Sequence, residues 1–214
     1  MSGIAASTLP WYVSRATGVV ALLLLTAVML IGILINRQGR LPGLPRFAVT
    51  NLHRNLSLMA VVFIVIHVVT AVLDGYVSIP LISGVIPFTS HYEGFWLGLG
   101  AVSFDLMLAL IVTSLVRGRM SQRLWKAVHW LAYASWPVAF AHSIGSSSDL
   151  QGGLLLGLAV LCAAALAAAL VWRLVRMARE VPRAQRVGAV MNTLAHRRPG
   201  PDTTGRHLVE ADRR

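Results

Sequence analysis

Residues 53–67 read HRNLSLMAVVFIVIH, an apolar stretch that begins and ends with histidine. Residues 129–142 read HWLAYASWPVAFAH and are organised in the same way, with a spacing of 13 residues between the histidines instead of 14. If each stretch is helical, a rise of about 1.5 Å per residue separates its two histidines by about 20 Å. That separation would place one histidine near each face of a bilayer core about 30 Å thick.

The composition of the whole chain indicates an integral membrane protein. Of its 214 residues, 56% are hydrophobic and only 13% are charged, and the mean hydropathy is +0.69. Soluble domains carry about 25% charged residues, so a soluble protein of this composition could not cover its surface with polar groups. The single cysteine, Cys162, excludes a disulfide within these residues and any CxxC redox or zinc motif.

Five stretches are apolar and about 20 residues long, which is the length that a membrane-spanning helix needs. They predict an all-α membrane protein, a bundle of about five transmembrane helices. The third stretch is interrupted once, by Asp105. The first lacks a preceding basic segment and a cleavage site, so we predict a retained helix and not a signal peptide. The predicted spans are residues 16–36, 55–73, 95–116, 127–146 and 150–172.

The basic segments all lie on one side of this predicted bundle, which explains most of the net charge of +11 without a nucleic-acid-binding surface. Cytoplasmic loops of membrane proteins are enriched in Lys and Arg. The pattern therefore predicts an outer N-terminus and a cytoplasmic C-terminus in a cell membrane, typically the bacterial plasma membrane. The basic segments are the first loop (Arg37, Arg40, Arg46), the third loop (Arg117, Arg119, Arg123, Lys126) and the tail, whereas the other two loops carry only Asp74, Glu93 and Asp149.

The chain divides into three predicted regions. Residues 1–15 form an outer N-terminal segment, residues 16–176 form the transmembrane helical domain, and residues 177–214 form a basic cytoplasmic tail. The tail is rich in Pro, Gly and Arg and poor in large apolar residues, so we expect it to be disordered. The outer loop, residues 77–94, contains an apolar LISGVI segment, which could lie at the membrane interface or fold back as a lid.

Two such helices side by side would present two histidine pairs at matching depths, an arrangement that suits two haems with axial imidazole ligands. At about 100° per residue, 14 steps bring His67 to within about 40° of His53, but 13 steps leave His142 about 140° from His129. A kink at Pro137 would re-aim His142. The alternative reading is that these histidines pack and form hydrogen bonds between helices. Metal transport is a weaker alternative, because pairs about 20 Å apart cannot share one ion.

The segments LHRNLSLMAVVFIVIHVVTAVLDGY (52–76) and WKAVHWLAYASWPVAFAHSIGSSSD (125–149) resemble the ferric reductase-like transmembrane domain. That superfamily includes ferric reductases, NADPH oxidases and the haem-binding membrane subunit of a bacterial methionine sulfoxide reductase. The resemblance extends over about residues 11–172. It implies two b-type haems, an inner one bound by His53 and His129 and an outer one bound by His67 and His142.

The function that this resemblance implies is transmembrane electron transfer by a di-haem b cytochrome, the membrane subunit of an oxidoreductase. Electrons would pass from a cytoplasmic flavin- or NAD(P)H-linked donor to an outer acceptor such as ferric iron, oxygen or a flavoprotein. Large relatives continue into a nucleotide-binding domain, but no GxGxxG motif follows Trp172 here, so we expect a flavin-bearing reductase partner and no NAD(P)H site of the chain's own. The alternatives are a quinone-coupled cytochrome b subunit, or a non-redox transporter or assembly protein with structural histidines.

Three charged residues are further candidates for the haem sites. Arg15, near the outer end of the first span, either binds a propionate or an acceptor anion at the outer haem or lies among lipid headgroups. Arg54 presents the same choice at the inner haem. Asp105, near the middle of the third span, either accepts a hydrogen bond from a ligand histidine or is protonated and bonded to a neighbouring helix. His91, in the outer loop, has no role in this scheme.

Overall fold

The protein is described by a computed structural model, in which residues 2–35, 45–74, 79–148 and 152–196 are described. These residues form helices connected by turns and short irregular segments, and no strand occurs among them. The predicted all-α architecture is confirmed. The elements are the α-helices α1 (Ser2–Ile35), α2 (Arg46–Val72), α3 (Gly94–Leu115), α4 (Gln122–His129), α5 (Ala132–Ser146) and α6 (Gly153–His196), and the 3₁₀ helices η1 (Leu81–Gly84) and η2 (Arg117–Arg119).

Four of these helices are long and apolar enough to cross a bilayer, which confirms a multi-pass membrane protein. Their large apolar side chains are widely exposed on the protein surface, as expected for helices that face lipid and not water. The orientation of the chain across the membrane stays a prediction. The spanning segments are Thr8–Leu34, Phe47–Val72, Gly94–Leu115 and Gly153–Arg179.

The predicted fourth span is divided into α4 and α5, which meet immediately after His129. Proline has no N–H and its ring clashes with the carbonyl four residues earlier, so Pro137 disturbs the helix around Tyr133. The backbone there forms the tighter bonds of a 3₁₀ turn. They join Leu131 N to Val128 O (2.9 Å), Tyr133 N to Trp130 O (3.0 Å) and Ala134 N to Leu131 O (3.0 Å).

This tightened turn corrects the helical phase of the second histidine stretch. A 3₁₀ turn advances about 120° per residue, so roughly four such residues add about 80° to the angle reached by a regular α-helix. The mismatch between His129 and His142 falls from about 140° to about 60° on this arithmetic. The change in helical phase that turns His142 towards the direction of His129 therefore lies one to two turns before Pro137, and not at the proline itself.

The helices pack as two antiparallel pairs, α1 with α2 and α3 with α5, and α1 also contacts α5. The indole Nε1 of Trp136 in α5 donates a hydrogen bond of 3.0 Å to Thr26 Oγ1 in α1, which links the two pairs. α6 joins the same core through Cys162 and Leu166. The buried cluster consists of Leu22, Ile33, Trp136, Cys162 and Leu166.

Both ends of the chain are more helical than expected. α1 begins at Ser2, so the described part of the predicted N-terminal segment is helical. α6 continues to His196, whereas residues 177–196 were expected to be disordered; many of these residues are Arg, Ala, Gln and Leu, which favour helices. By their internal contacts the residues form two units, Met1–Leu170 and Val171–Arg214. The loop at 36–44, with Arg37 and Arg40, and the last part of the tail, 197–214, lie outside the described residues.

Candidate functional site

The outer pair of histidines, His67 and His142, is brought together by α2 and α5. Their ring centroids are 6.3 Å apart, and the ring planes are inclined by 71°. The pair lies near the end of the bundle at which α2 ends and α3 begins. The terms outer pair (His67, His142) and inner pair (His53, His129) follow the predicted orientation.

Each ring of the outer pair is held by a backbone carbonyl of a neighbouring helix. His67 Nδ1 lies 2.7 Å from the carbonyl oxygen of Ser14 in α1, and His142 Nδ1 lies 2.9 Å from that of Trp96 in α3. A carbonyl oxygen only accepts hydrogen bonds, so both Nδ1 atoms carry the proton and donate it. Nε2 of each ring then keeps its lone pair, which is the state in which imidazole binds a metal.

Glycines of α1 and α3 make room for the same rings. A Cβ atom at Gly18 would lie 3.0 Å from Cε1 of His67, and one at Gly100 would lie 2.8 Å from Cε1 of His142. Distances this short force the ring or the helix to move. These two glycines therefore allow α1 and α3 to pack directly on the imidazoles.

The inner pair repeats this arrangement in part. His53 and His129 are close enough to interact electrostatically, and Gly32 of α1 faces His53 with a virtual Cβ-to-Cε1 distance of 3.4 Å. Nδ1 of His53 and Nδ1 of His129 are both buried without a hydrogen-bond partner among the described residues.

His129 is oriented by stacking. Its ring lies on that of Trp125, one turn earlier in α4, with centroids 4.9 Å apart and planes inclined by 19°. The guanidinium of Arg117 lies 4.2 Å from the centroid of the same indole. A cation over the face of an indole is attracted by its quadrupole, so Arg117 stabilises the position of Trp125 and, through it, the ring of His129.

A cavity of about 460 Å³ surrounds the outer pair. This volume lies within the range of about 300–1,000 Å³ that is usual for small-molecule sites. The histidine-facing part is lined by apolar side chains and glycines, and the end towards the helix termini is polar. The lining includes Gly18, His67, Gly100, Phe104, Met107 and His142, and at the polar mouth Arg15, Asp74, Glu93 and Ser147.

A family model described as the ferric reductase like transmembrane component matches residues 17–140, more than half of the chain. This chain belongs to the ferric reductase-like transmembrane family. The matched residues include His53, His67 and His129 and end two residues before His142. No curated protein and no solved structure gives a significant match.

Arg15 lies at the mouth of the outer cavity of this ferric reductase-like chain. Its guanidinium donates hydrogen bonds of 3.2 Å to the hydroxyls of Ser147 and Ser148 and lies 4.4 Å from the centroid of the Trp11 ring. The side chain is half-buried and directed at the protein, in contrast to an arginine that extends to headgroups. Its position agrees with the expected role, which remains a prediction.

No hydrogen bond joins either of the other two candidate charges, Asp105 and Arg54, to a histidine ring among the described residues. Asp105 does not hold a ring of the outer pair, because backbone carbonyls occupy both Nδ1 positions. The cause is helical phase: Asp105 is five residues from Gly100, hence about 140° around α3 from the face that contacts His142. Arg54 is exposed and forms no hydrogen bond or ion pair with another described residue, so its role at an inner haem stays a prediction. His91 is exposed in the outer loop.

Several positions that contact the histidine rings were not predicted from the sequence, although two glycines of α1 have a spacing that could have indicated them. Gly18 and Gly32 are separated by 14 residues, as are His53 and His67. Because α1 and α2 pack antiparallel, Gly18 lies against His67 and Gly32 lies against His53. The carbonyls of Ser14 and Trp96 could not be recognised, because any residue type supplies a backbone carbonyl. The Trp125–His129 stack has the spacing of four residues that places side chains on one helix face.

Proposed function

We propose that this chain is a di-haem b cytochrome that carries electrons across the plasma membrane, from a cytoplasmic flavin- or NAD(P)H-linked donor to an outer acceptor. Membership of the ferric reductase-like family supports membrane electron transfer. The observation that carries the proposal is the geometry of the outer pair. Two imidazoles from different helices lie with their ring centroids 6.3 Å apart beside one cavity, and both Nδ1 atoms are anchored by backbone carbonyls.

The separation of the two rings fits a shared iron atom. Metal–imidazole bonds are about 2 Å long, and a ring nitrogen lies about 1 Å from its centroid, so two rings that share one metal would have centroids no more than about 6 Å apart. The observed value is 6.3 Å. His67 and His142 would be the two protein ligands of a haem iron bound at this site.

A second haem at the inner pair is supported by buried polar atoms that have no hydrogen-bond partner among the described residues. Leaving a buried polar atom without a partner costs about 1–3 kcal/mol, so such atoms call for an explanation. Three of them lie together here: Nδ1 of His53, Nδ1 of His129 and Nε1 of Trp125. A bound group that accepts hydrogen bonds from these nitrogens would satisfy them and leave Nε2 of each imidazole available as a ligand, as in the outer pair.

In this proposal the protein fixes the ligands, and the bound haems supply one-electron redox chemistry. His53 and His67 lie on the continuous helix α2, so the two ligand levels are about 21 Å apart along the bilayer normal. Gly18, Gly32 and Gly100 let the neighbouring helices approach the rings, and the carbonyls of Ser14 and Trp96 hold Nδ1–H of the outer pair. Arg15 supplies a positive charge at the outer mouth.

A reduced-minus-oxidised optical spectrum of the purified protein tests the proposal. We expect the bands of a low-spin b-type haem with two histidine ligands. A protein that is purified folded, from cells supplied with haem, and shows no such bands would contradict it. That result would favour a non-redox membrane protein with structural histidines.

The proposed donor is a separate flavin-bearing reductase. We expect dithionite to reduce the haems of the reconstituted chain fully, and NADPH to leave them oxidised until such a reductase is added. The measurement is the anaerobic absorbance at the haem bands over time. Rapid reduction by NADPH in a preparation free of flavoprotein would show that the chain has a nucleotide site of its own.

Arg15→Gln is expected to lower the reduction potential of the outer haem. A nearby positive charge favours the reduced form, which has one more electron, so removing the charge lowers the potential, by on the order of tens of millivolts for a half-buried group. Arg15→Lys keeps the charge and serves as the control. Potentiometric titration of both variants measures the effect, and two unchanged potentials in Arg15→Gln would assign Arg15 to an interfacial role.

Trp125→Ala is expected to disturb the inner haem alone. His129 has no hydrogen bond at Nδ1 among the described residues, so stacking on Trp125 is what orients its ring. We expect the inner-haem signal in the electron paramagnetic resonance spectrum to broaden and its occupancy to fall about twofold. Trp125→Phe should largely restore both. Trp130→Ala, which removes an exposed indole from the next turn, is the matched control, and an equal effect there would refute the role of the stack.

A further inference from the structure

The segment of residues 79–90 folds back along the bundle and does not extend away from it. A Cβ atom at Gly84 would lie 3.4 Å from Cγ1 of Val68, four residues before α2 ends. The ring of Phe88 lies directly over Gly98, four residues after α3 begins. At about 1.5 Å per residue, both contacts lie about 6 Å inside the ends of the spanning helices.

This segment has two different faces. Ser83 is buried, with 4% of its surface exposed, and it lines the outer cavity together with Ile79 and Gly84. The other face consists of large apolar side chains that are about half exposed or more. They are Leu81 (79% exposed), Ile82 (56%), Val85 (56%) and Ile86 (47%), and residues 79–90 contain no charged side chain.

Part of the backbone of the segment is hydrogen-bonded within the segment, which lowers the cost of irregular backbone at membrane depth. Ser83 N donates to Pro80 O (2.9 Å), and Val85 N and Ile86 N donate to Ile82 O (3.1 and 2.7 Å). Pro80 and Pro87 have no N–H to satisfy. The hydroxyl of Thr89 donates to the carbonyl of Ile86 (2.8 Å).

We propose that residues 79–90 form a re-entrant segment, with its apolar face inserted among the lipids of the adjacent leaflet and its other face closing the lipid side of the outer cavity. Lipid is the occupant because the apolar face continues the exposed apolar surfaces of the helices on either side of it. Val65 and Val69 of α2 and Phe95 of α3 are exposed at the same end of the bundle. The mouth of the cavity that carries Arg15, Glu93 and Ser147 is polar and remains the side open to water.

Site-directed spin labelling of the full chain in phosphatidylcholine nanodiscs tests this proposal. Single cysteines at Ile82 and Val85 carry the nitroxide, and the parent protein, whose Cys162 is buried, is the labelling blank. The measured quantity is the ratio of collision rates with oxygen, which concentrates in lipid, and with a water-soluble nickel chelate. Val62→Cys on α2 is the lipid reference, Arg119→Cys in η2 is the water reference, and Ser83→Cys reports the cavity face.

The expected ratio at residues 82 and 85 is within about twofold of that at residue 62 and at least fivefold above that at residue 119, whereas residue 83 collides little with either reagent. A ratio at 82 and 85 equal to that at 119 would overturn the proposal. Low collision rates with both reagents at 82 and 85 would also overturn it, because another protein surface would then cover the segment. Neither result depends on haem, so the proposed function is tested separately.

Discussion

His67→Ala and His142→Ala are each expected to remove one of two haems from the purified protein and to leave the other in place. Each substitution deletes one of the two axial ligands that the outer pair provides, while the inner pair lies about 21 Å away along α2. The haem-to-protein ratio should therefore fall from about two to about one. The measurements are the pyridine haemochrome assay and the number of low-spin signals in the electron paramagnetic resonance spectrum.

The reciprocal variants complete this test. His53→Ala and His129→Ala should remove the inner haem and retain the outer one, so the surviving signal should differ from that of the first two variants. His91→Ala is the matched control, because His91 is an exposed histidine outside both pairs. Loss of both haems from all four variants, in protein that is still folded, would contradict two separable layers.

Leucine at Gly18 or Gly100 is expected to abolish the outer haem as completely as loss of a ligand. The virtual Cβ atoms at these positions already lie 3.0 and 2.8 Å from the imidazoles of His67 and His142, so a larger side chain must displace the ring or separate the helices. The imidazole would then be displaced by more than the roughly 0.5 Å that a binding site tolerates for its ligands. Haem content and the outer-haem potential measure the effect.

The glycine series contains its own controls. Gly32→Leu should affect the inner haem, because Gly32 faces His53, and Gly157→Leu on α6 should affect neither, because no heavy atom lies within 4 Å of its virtual Cβ. Alanine at Gly18 and Gly100 should produce a smaller effect of the same kind. Normal haem content in Gly18→Leu and Gly100→Leu would show that the close packing of α1 and α3 on the rings is not needed for ligation.

The membrane-spanning helices were predictable because a spanning helix is recognised by the length and the apolar composition of its stretch, and both can be read from the sequence alone. The division of the fourth span was not. Pro137 predicts a disturbance near the carbonyl four residues earlier, but its position alone does not define the extent of the tightened turn, which covers residues 130–134. Residues 177–196 were expected to be disordered because the tail contains prolines and glycines and few large apolar residues, whereas α6 continues through them to His196.

The candidate site was predictable to the extent that it consists of side chains with a distinctive spacing. The four histidines followed from spacings of 14 and 13 residues; the structure brings His67 and His142 to within 6.3 Å of each other between ring centroids, and the assignment of both pairs as ligands stays a prediction. The partners of the rings did not follow, because the Ser14 and Trp96 carbonyls belong to the backbone. Asp105 is a carboxylate within a membrane-spanning helix, but both Nδ1 atoms of the outer pair bond to backbone carbonyls instead of to a carboxylate.

The most direct test of this account is the number of haems bound by the unmodified chain. The chain is expressed in a haem-supplied host and purified, haem is measured by the pyridine haemochrome assay, and protein is measured by amino-acid analysis. Two ligand pairs at two depths predict two b-type haems per chain, titrating at two reduction potentials. A ratio of one, or of zero, in folded protein would contradict the account.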